Sequence, residues 1–378
     1  MRACPRKPDR AECMALLRTD LPAVRSLQPG TPPPGYGPAD IRSAYQLPVG
    51  AGRGRTVAIV NAFNYPTAES DLAEYRRTFG LPPCTTANGC FRKVYVTATG
   101  EETNVPPPVD SGWALESALD IDAVSAACRA CNIVLVQAAN DTFGALLNAV
   151  EFAREDLGAK FISMSWVDPN GENPVQLVLD QAYFNFPGIA FVAASGDVGG
   201  VVHWPAASQY VTAAGGTRLD RVLGRVPGPQ FNRPQRWYES AWPGAGSGCS
   251  QIQPKPAWQT DPLCPQRTSA DVSAVAEPAT GLAVYTTTTT PDQQTGWIVV
   301  GGTSLSSPLI AAMYALAGEP GPNDRPNSYP YANRRAFWDI DMGITQNCPT
   351  GTYLCRAVIG YDGPTGVGSP RGVRGLRP

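Results

Sequence analysis

The regular alternation of short apolar runs with helix-like patterns between residues 56 and 193 most limits the fold of this chain. Short apolar runs predict strands, and apolar spacing of three and four residues predicts helices. We predict strands at Thr56–Val60, Lys93–Val96, Ile133–Gln137, Phe161–Ser165 and Ile189–Ala193, and helices at Ala68–Phe79, Trp113–Ala127, Phe143–Asp156 and Val175–Phe184. Because crossover helices join parallel strands, the alternation predicts an α/β fold: a mostly parallel sheet with helices on both faces.

The remaining segments set the expected domain limits. Residues 1–35 end in a Pro-rich stretch and are predicted to form an N-terminal extension and linker. Residues 217–295 are rich in Gly, Pro, Ser and Thr and predict irregular structure and hairpins. We expect one domain over residues 36–370, with a loop-rich stretch near its end, and a tail over residues 371–378.

The charge distribution excludes two classes of partner. The chain has a formal net charge of -2 and an isoelectric point near 5.6, with no run of basic residues. Nucleic acids and anionic membranes are therefore not expected as partners. The apolar stretches Gly188–Ala194 and Leu305–Ala317 are too short to cross a bilayer, so we expect a soluble protein.

The cysteines indicate the compartment. Ten cysteines fall into couples that are close in sequence, which favours disulfides; a zinc site would need four thiolates or imidazoles that converge. Disulfides indicate an oxidising, extracellular location. Because the start of the chain lacks an apolar signal segment, we hypothesise that it derives from a longer secreted precursor. The couples are Cys4/Cys13, Cys84/Cys90, Cys128/Cys131, Cys249/Cys264 and Cys348/Cys355.

Ser304 is a candidate nucleophile. It follows the apolar run Trp297–Val300 through Gly301 and Gly302 and opens the helix Leu305–Ala317. A hydroxyl at a helix N-terminus lies beside free N–H groups that can hold an oxyanion, although serine is also a common helix cap. The chain contains one histidine, so a base for this serine would be a carboxylate.

Glu116 and Asp120 are the candidate base and its partner. They are four residues apart on a predicted helix and therefore share one face. Two such acids titrate as a coupled pair in which one keeps its proton to higher pH. A solvated acidic face would explain the same residues, and Asp122 lies off that face and is given no role.

Asp197 follows the predicted strand Ile189–Ala193, in the sequence Ser195-Gly196-Asp197. Ligands of open parallel sheets bind at the carboxyl ends of strands, which places Asp197 where chemistry is expected. A simple Gly-Asp turn is the alternative explanation.

Taken in order, several motifs resemble the sedolisins, or serine-carboxyl peptidases. The resemblance extends from about residue 35 to residue 370, and the number and order of the motifs make it specific. The motifs are Val57-Ala58-Ile59-Val60, Glu116-x-x-x-Asp120, Ser163-Met164-Ser165-Trp166, Ser195-Gly196-Asp197, Trp204-Pro205-Ala206-Ala207-Ser208, Gly215-Gly216-Thr217, Gly302-Thr303-Ser304 and Gly366-Val367-Gly368.

This resemblance implies a subtilisin-like fold and a set of roles. Ser304 would be the nucleophile, Glu116 the general base and acid, Asp120 the residue that orients Glu116, and Asp197 an oxyanion donor. Asp197 must be protonated to donate, so the resemblance implies activity in acid. The expected protein is a secreted, monomeric endopeptidase whose partners are protein and peptide substrates.

An ordinary subtilisin triad does not fit the residues. The run Val57–Val60 leads into Asn61, where a subtilisin has its catalytic aspartate, and no histidine lies between Asn61 and Ser165. We expect His203, beside Trp204, to be a structural or surface residue.

The resemblance also implies one calcium ion near the end of the domain. The matching ligands would be the side chains of Asp339 and Asp362 and the carbonyl oxygens of Ile340, Val358 and Gly360. Hard oxygen ligands of this kind suit calcium. From spacing alone, the two aspartates also fit ordinary turns.

Two departures from the family pattern keep alternatives open. Val167 stands where the family usually has glycine, at an edge where substrate pairs, so substrate preference is not transferred. The long prodomain expected in sedolisin precursors is missing, and two interpretations of residues 1–35 stay open: a remnant of that prodomain or a stapled N-terminal extension. A catalytically silent binding or scaffold protein is the alternative function; an esterase or acyltransferase has no further motif in its favour.

Overall fold

The computed structural model describes residues 1–28, 30–221, 237–348 and 351–378. Its strands are β1 (Glu12–Cys13), β2 (Leu16–Leu17), β3 (Thr56–Ala62), β4 (Phe91–Val96), β5 (Glu102–Thr103), β6 (Asn132–Ala138), β7 (Phe161–Met164), β8 (Trp166–Val167), β9 (Ala190–Ala194), β10 (Thr212–Arg221), β11 (Trp237–Ala241), β12 (Gly248–Pro254), β13 (Gln266–Ser269), β14 (Val272–Val275), β15 (Leu282–Thr286), β16 (Gly296–Gly301), β17 (Phe337–Trp338) and β18 (Ser369–Pro370). Its helices are α1 (Pro38–Tyr45), α2 (Ala68–Thr78), α3 (Ser111–Ala127), α4 (Phe143–Glu155), α5 (Val175–Tyr183), α6 (Thr303–Ala317) and α7 (Tyr329–Ala332).

The central sheet has the order β11-β10-β9-β7-β3-β6-β4-β5, and β14 also pairs with β10. Neighbouring strands from β10 to β4 are parallel, whereas β11 and β5 join the two edges antiparallel. The predicted α/β fold with a mostly parallel sheet is therefore confirmed.

The sheet is covered on both faces. Every residue of Val57–Ala62 in β3 and of Ala190–Ala194 in β9 is buried. Because successive side chains of a strand point to opposite faces, burial without alternation requires cover on both sides. Helix α4 packs against β3 and β6, and helix α6 packs against β7, β9 and α3.

Helix α3 is buried along almost its whole length. All of its residues except Ser111 are buried, including three acids among alanine, leucine and valine side chains. Its start is capped by Asp110, whose side chain accepts from the N–H groups of Gly112 and Trp113. Acids at such positions need hydrogen-bond partners, because an unpaired buried carboxylate is costly.

Residues 1–17, predicted to belong to an extension, pack on the body of the protein. Strand β1 pairs antiparallel with β8, and β2 pairs antiparallel with β16. Both pairings are only two residues long, and segments this short have no strand pattern from which they could be predicted. The domain limits at residues 35 and 370 stay predictions, and Pro29 of the predicted linker lies outside the described residues.

The Gly- and Pro-rich stretch contains hairpin-like pairings, as predicted. Strands β10 and β11 pair antiparallel, as do β12 and β13, whereas residues 222–236 lie outside the described part. All five predicted disulfides are formed, which removes the zinc alternative. None of the helices described is both long and apolar enough to cross a membrane.

Candidate active site

Ser304 lies in the first turn of α6, directly after β16. Gly302 joins the two elements with φ of 96°, a left-handed conformation that favours glycine. A Cβ at Gly302 would overlap the carbonyl oxygen of Met14 and lie 2.7 Å from Oδ2 of Asp197. Glycine is therefore required here for both conformation and space. The Ser304 hydroxyl is fully buried and donates to the carbonyl oxygen of Ser165 over 3.3 Å.

Glu116 and Asp120 lie on the same face of α3, as predicted, and that face is buried rather than solvated. Asp120 accepts from Nδ2 of Asn61 at 2.9 Å and from Oγ of Ser165 at 2.8 Å. Glu116 accepts at Oε2 from the N–H of Ala15 at 2.8 Å, and among the described residues its buried Oε1 has no hydrogen-bond partner. Ser304 and Asp120 both lie close enough to Glu116 to shift its pKa. The side chains of Ser304, Glu116 and Asp120 therefore lie together in one buried cluster.

Burial governs the charge of this carboxyl pair. It raises the pKa of both Glu116 and Asp120 above the ordinary values, and the charge of Asp120 raises the pKa of Glu116 further. The hydroxyl of Ser304 and the N–H of Ala15 lower the pKa of Glu116, and hydrogen bonds from Asn61 and Ser165 lower that of Asp120. The pair can thus keep a proton at a pH where free carboxyls are ionised.

Asp197 follows β9 and faces the start of α6. Its Oδ1 accepts from the backbone N–H of Thr303 at 2.8 Å and from the Thr303 hydroxyl at 2.7 Å. Among the described residues, its buried Oδ2 has no hydrogen-bond partner. Burial raises the pKa of Asp197 to about 7, although both Thr303 bonds lower it. In acid, this carboxyl can therefore donate a proton from Oδ2 toward the space beside Gly302.

His203 and Asp122 make no hydrogen bond to the four candidate residues within the described part of the chain. The ring of His203 packs against Gly196, and its Nδ1 is 3.0 Å from the carbonyl oxygen of Asp168. Asp122, the third buried acid of α3, accepts from the N–H of Tyr285 at 3.1 Å.

The structure brings the four predicted residues together, and it adds partners that sequence reasoning missed. Thr303 and Ser165 stood within the motifs but were given no role, and Asn61 was noted only as a departure from subtilisin. The parallel register of β3 and β7 sets Ile59 opposite Ser163, which brings Asn61 level with Ser165. Because this register belongs to the folded sheet, no local sequence signal identified Asn61 as a partner of Asp120.

The predicted calcium ligands lie near one another in the loop before β18. The N–H of Gly360 donates to both carboxylate oxygens of Asp339, at 3.1 and 3.0 Å. Asp362 is buried and accepts from the N–H groups of Val358 at 3.1 Å and Thr365 at 2.8 Å.

Charge and donor type bear on whether this loop suits a cation. Burial and the neighbouring charge of Asp339 raise the pKa of Asp362. In the described residues, the carbonyl oxygens of Ile340, Val358 and Gly360 accept no hydrogen bond, so hard oxygen donors stay free. No group of three or more His, Cys, Asp or Glu side chains suited to a metal occurs among the described residues, and the donor set here holds only two carboxylates.

The sheet order, with a serine at the start of the buried helix α6, defines a subtilisin-like fold. The subtilase family (Peptidase_S8) matches residues 111–336, which is more than half of the chain and includes all four candidate residues. The chain therefore belongs to the subtilase family.

Within the subtilase family, two individual proteins are similar to this chain over most of its length. The chain is 32% identical to kumamolisin of Bacillus sp. (strain MN-32) over 91% of its own length and 64% of that protein. It is 24% identical to sedolisin of Pseudomonas sp. (strain 101) over 92% of its own length and 61% of that protein. The chain thus spans less than two thirds of the length of these curated relatives.

Solved structures agree on the fold. Pseudomonas sedolisin, a serine-carboxyl proteinase complexed with two molecules of pseudo-iodotyrostatin, superposes with a TM-score of 0.69 at 23% identity. The match covers 90% of this chain and 96% of that one. Sphericase superposes with a TM-score of 0.54 at 17% identity, covering 92% of this chain and 99% of that one. The resemblance of this chain to the sedolisins is confirmed by its relatives and by its fold.

Proposed function

We propose that the protein is a serine-carboxyl peptidase that hydrolyses internal peptide bonds through an acyl-enzyme. The observation that carries this proposal is the buried cluster of Ser304, Glu116 and Asp120, with Asp197 beside Gly302. Similarity to kumamolisin and sedolisin supports the same reaction.

Each side chain has a defined step in this mechanism. The Ser304 oxygen attacks the carbonyl carbon of the substrate while Glu116 accepts the hydroxyl proton. Protonated Asp197 and the N–H of Ser304 stabilise the oxyanion. Glu116 then returns the proton to the leaving amine, and water, activated in the same way, releases the acid product and Ser304.

Acid activity is expected because Asp197, the proposed oxyanion donor, must be protonated. Asp197 donates to the oxyanion only while it holds its proton, and its pKa is raised to about 7 by burial. Asp120, held by Asn61 and Ser165, orients Glu116 and stabilises it when it gains a proton. We therefore expect the rate to fall as Asp197 ionises.

We further propose that the protein is secreted, acts on protein and peptide substrates, and binds one calcium ion. The five disulfides support an oxidising location. Asp339 and Asp362 would hold the ion together with the free carbonyl oxygens of Ile340, Val358 and Gly360. When bound, the ion would offset the repulsion between the two carboxylates and thereby stabilise the loop.

The test is hydrolysis of a denatured protein substrate between about pH 2.5 and pH 8, with wild type and three variants. We expect Ser304→Ala to abolish turnover and Glu116→Gln to lower kcat by about a thousandfold or more. Asp122→Asn is the matched control, because Asp122 is equally buried on α3 but contacts Tyr285 instead of Ser304.

Two results would overturn the proposal. Turnover that survives Ser304→Ala would exclude this serine as the nucleophile. No turnover of any substrate by a folded, calcium-loaded wild type would instead favour the catalytically silent binding protein.

A further inference from the structure

A groove with a volume of about 1080 Å³ lies between two segments that are distant in the sequence. One wall is formed by residues 331–336, directly before β17, and the other by residues 371–374, directly after β18. The turn that follows α1 contributes Gln46 and Pro48. None of the candidate site residues lines this groove, so it is a surface separate from the candidate active site.

Backbone hydrogen bonds hold the second wall against the body of the protein. Strands β17 and β18 pair antiparallel, and the N–H of Arg371 continues this ladder by donating to the carbonyl oxygen of Ala336 at 2.9 Å. The N–H of Gly372 donates to the carbonyl oxygen of Tyr45 at 2.8 Å, and the side chain of Leu376 is buried. Residues 371–376, predicted to belong to a tail, are therefore fixed, and the groove is preformed.

Four arginines line the groove, and no acidic residue does. Arg334 and Arg335 lie in one wall and Arg371 and Arg374 in the other, and all four are exposed. Every Asp and Glu of the chain lies in the described part, and the ion pairs found there involve other cationic residues. The groove therefore concentrates positive charge without a paired carboxylate, in a protein whose formal net charge is -2.

Two of the guanidinium groups are oriented by aromatic rings. The guanidinium carbon of Arg371 lies 4.5 Å from the centre of the Trp338 ring, and that of Arg334 lies 5.7 Å from the centre of the Tyr331 ring. Both rings are buried. Because a ring attracts a cation but carries no net charge, these contacts restrict the two side chains and leave their full charge for a ligand.

The chemistry of the groove selects among anions. A guanidinium group stays charged at any pH at which a protein is folded, and it binds oxygen anions through a fork of N–H donors. In the acid medium proposed for activity, the carboxylates of a partner protein are partly protonated, whereas a sulfate ester, the anion of a strong acid, keeps its charge. Several fixed arginines along one groove therefore suit a chain that carries repeated sulfate esters.

Two other polyanions fit the groove less well. Single-stranded nucleic acid binds by stacking its bases on exposed aromatic rings, and Tyr331, the aromatic residue among the described lining residues, is buried. An anionic membrane offers a flat surface and favours apolar side chains that insert into it, whereas this surface is concave and rich in arginine. The exposed amide of Gln46 can instead hydrogen-bond with a sugar hydroxyl.

We propose that this arginine groove, formed by Arg334, Arg335, Arg371 and Arg374, is a binding site for a sulfated polysaccharide. The groove anchors the protein to such a chain through charges that do not titrate, separately from the candidate catalytic groups. This inference goes beyond the proposed peptidase function and does not depend on it. The arginine pairs lie in separate segments of the sequence, which is why no basic run indicated the site.

The test is titration of fluorescein-labelled dextran sulfate with the full chain carrying Ser304→Ala, which prevents turnover. A variant with glutamine at all four groove positions loses four charge-assisted contacts, so we expect at least about thirtyfold weaker binding. The matched control removes as many positive charges at exposed positions outside the groove and should bind within about twofold of the parent. The control substitutions are Arg25→Gln, Arg53→Gln, Lys160→Gln and Arg356→Gln.

The two walls are also tested separately. Arg334→Gln with Arg335→Gln, and Arg371→Gln with Arg374→Gln, should each weaken binding by at least about fivefold. Urea unfolding verifies that both pairs leave the protein folded. A loss confined to one pair would overturn the inference, because the ligand would then lie outside the groove between the walls. An equal loss in the fourfold groove variant and in the control would overturn it as well, since binding would follow net charge alone.

Further probes distinguish the class of ligand. Dextran sulfate should bind at least as tightly at about pH 4 as at about pH 7, whereas poly-glutamate should bind at least about threefold more weakly in acid. Weaker binding of dextran sulfate in acid, or binding of uncharged dextran, would contradict recognition of sulfate esters. Tighter binding of single-stranded DNA or of phosphatidylglycerol vesicles through the same arginines would overturn the assignment to a polysaccharide. None of these measurements needs turnover, so failure here and failure of the peptidase function are distinguishable.

Discussion

Replacing Asp197 with asparagine tests the buried carboxyl beside Gly302. The pKa of Asp197 is raised from 3.8 to about 7 by burial. Between these two values the unfolded chain is ionised at this residue while the folded protein holds the proton, so stability falls as the pH rises. The stability that protonated Asp197 contributes is fully present below its pKa in the unfolded chain. It is lost as the pH rises through its pKa in the folded protein.

The size of this effect follows from the shift. A shift of roughly three pH units corresponds to about 4 kcal/mol of stability lost between acid and neutral pH. Asparagine does not titrate, and its Oδ1 can accept both hydrogen bonds from Thr303. Its Nδ2 can donate toward the carbonyl oxygen of Met14, which lies beside Oδ2 of Asp197. We therefore expect the Asp197→Asn variant to lose about 4 kcal/mol less free energy of unfolding than the parent between acid and neutral pH. The substitution leaves no new unpaired group.

The assay is urea unfolding at about pH 4 and about pH 8, with Ser304→Ala present in every sample to prevent self-digestion. We expect the parent to lose more free energy of unfolding between the two pH values than the Asp197→Asn variant does. Asp156→Asn, at an exposed position, should behave as the parent. An equal loss in the parent and in Asp197→Asn would refute the claim that Asp197 is protonated in the folded state.

Three further predictions concern the surroundings of the site. Thr303→Val removes the hydroxyl that donates to Asp197, so the pKa of Asp197 rises and the alkaline limit of activity should move up by about one pH unit; an unmoved limit in the pH–rate profile would contradict this role. Asn61→Ala removes a donor to Asp120 and should lower kcat by about tenfold with little change in KM, whereas a change confined to KM in steady-state kinetics would count against it. A chelator should lower the Tm of wild type in calorimetry but not that of Asp362→Ala, and equal lowering of both would place the calcium elsewhere.

The sequence was sufficient to predict the elements that carry their own periodicity. Strand β6 and helix α4 were predicted to within one residue at each end, because the spacing of their apolar residues is distinct. Strand β10 was missed over Thr212–Gly216, where small residues and glycines hide the strand pattern.

The candidate site was predictable where the chemistry was local. Glu116 and Asp120 are four residues apart, so their proximity follows from helical geometry alone. The hydrogen bond from Asn61 to Asp120 depends on the register between separate strands and could not be read from spacing. The roles of the four site residues and of the calcium ligands stay predictions that await the experiments above.

The pairing of residues 1–17 with the body of the protein could not be predicted from the sequence, for a different reason. The two strands of this segment are each two residues long and form only because β8 and β16 offer free edges. Such pairing is a property of the assembled fold, so residues 1–17 could be described from the sequence only as an extension.

The spacing of the disulfides has a consequence for how the chain reaches its fold. The partners are separated by 9, 6, 3, 15 and 7 residues, so every bridge closes a short loop. Short loops lose little entropy on closure, so each correct pair meets more often than any pair drawn from different couples. Oxidative folding of this chain is therefore resistant to scrambled bridges: neighbouring thiols can find each other before the parallel sheet, with its distant contacts, has formed.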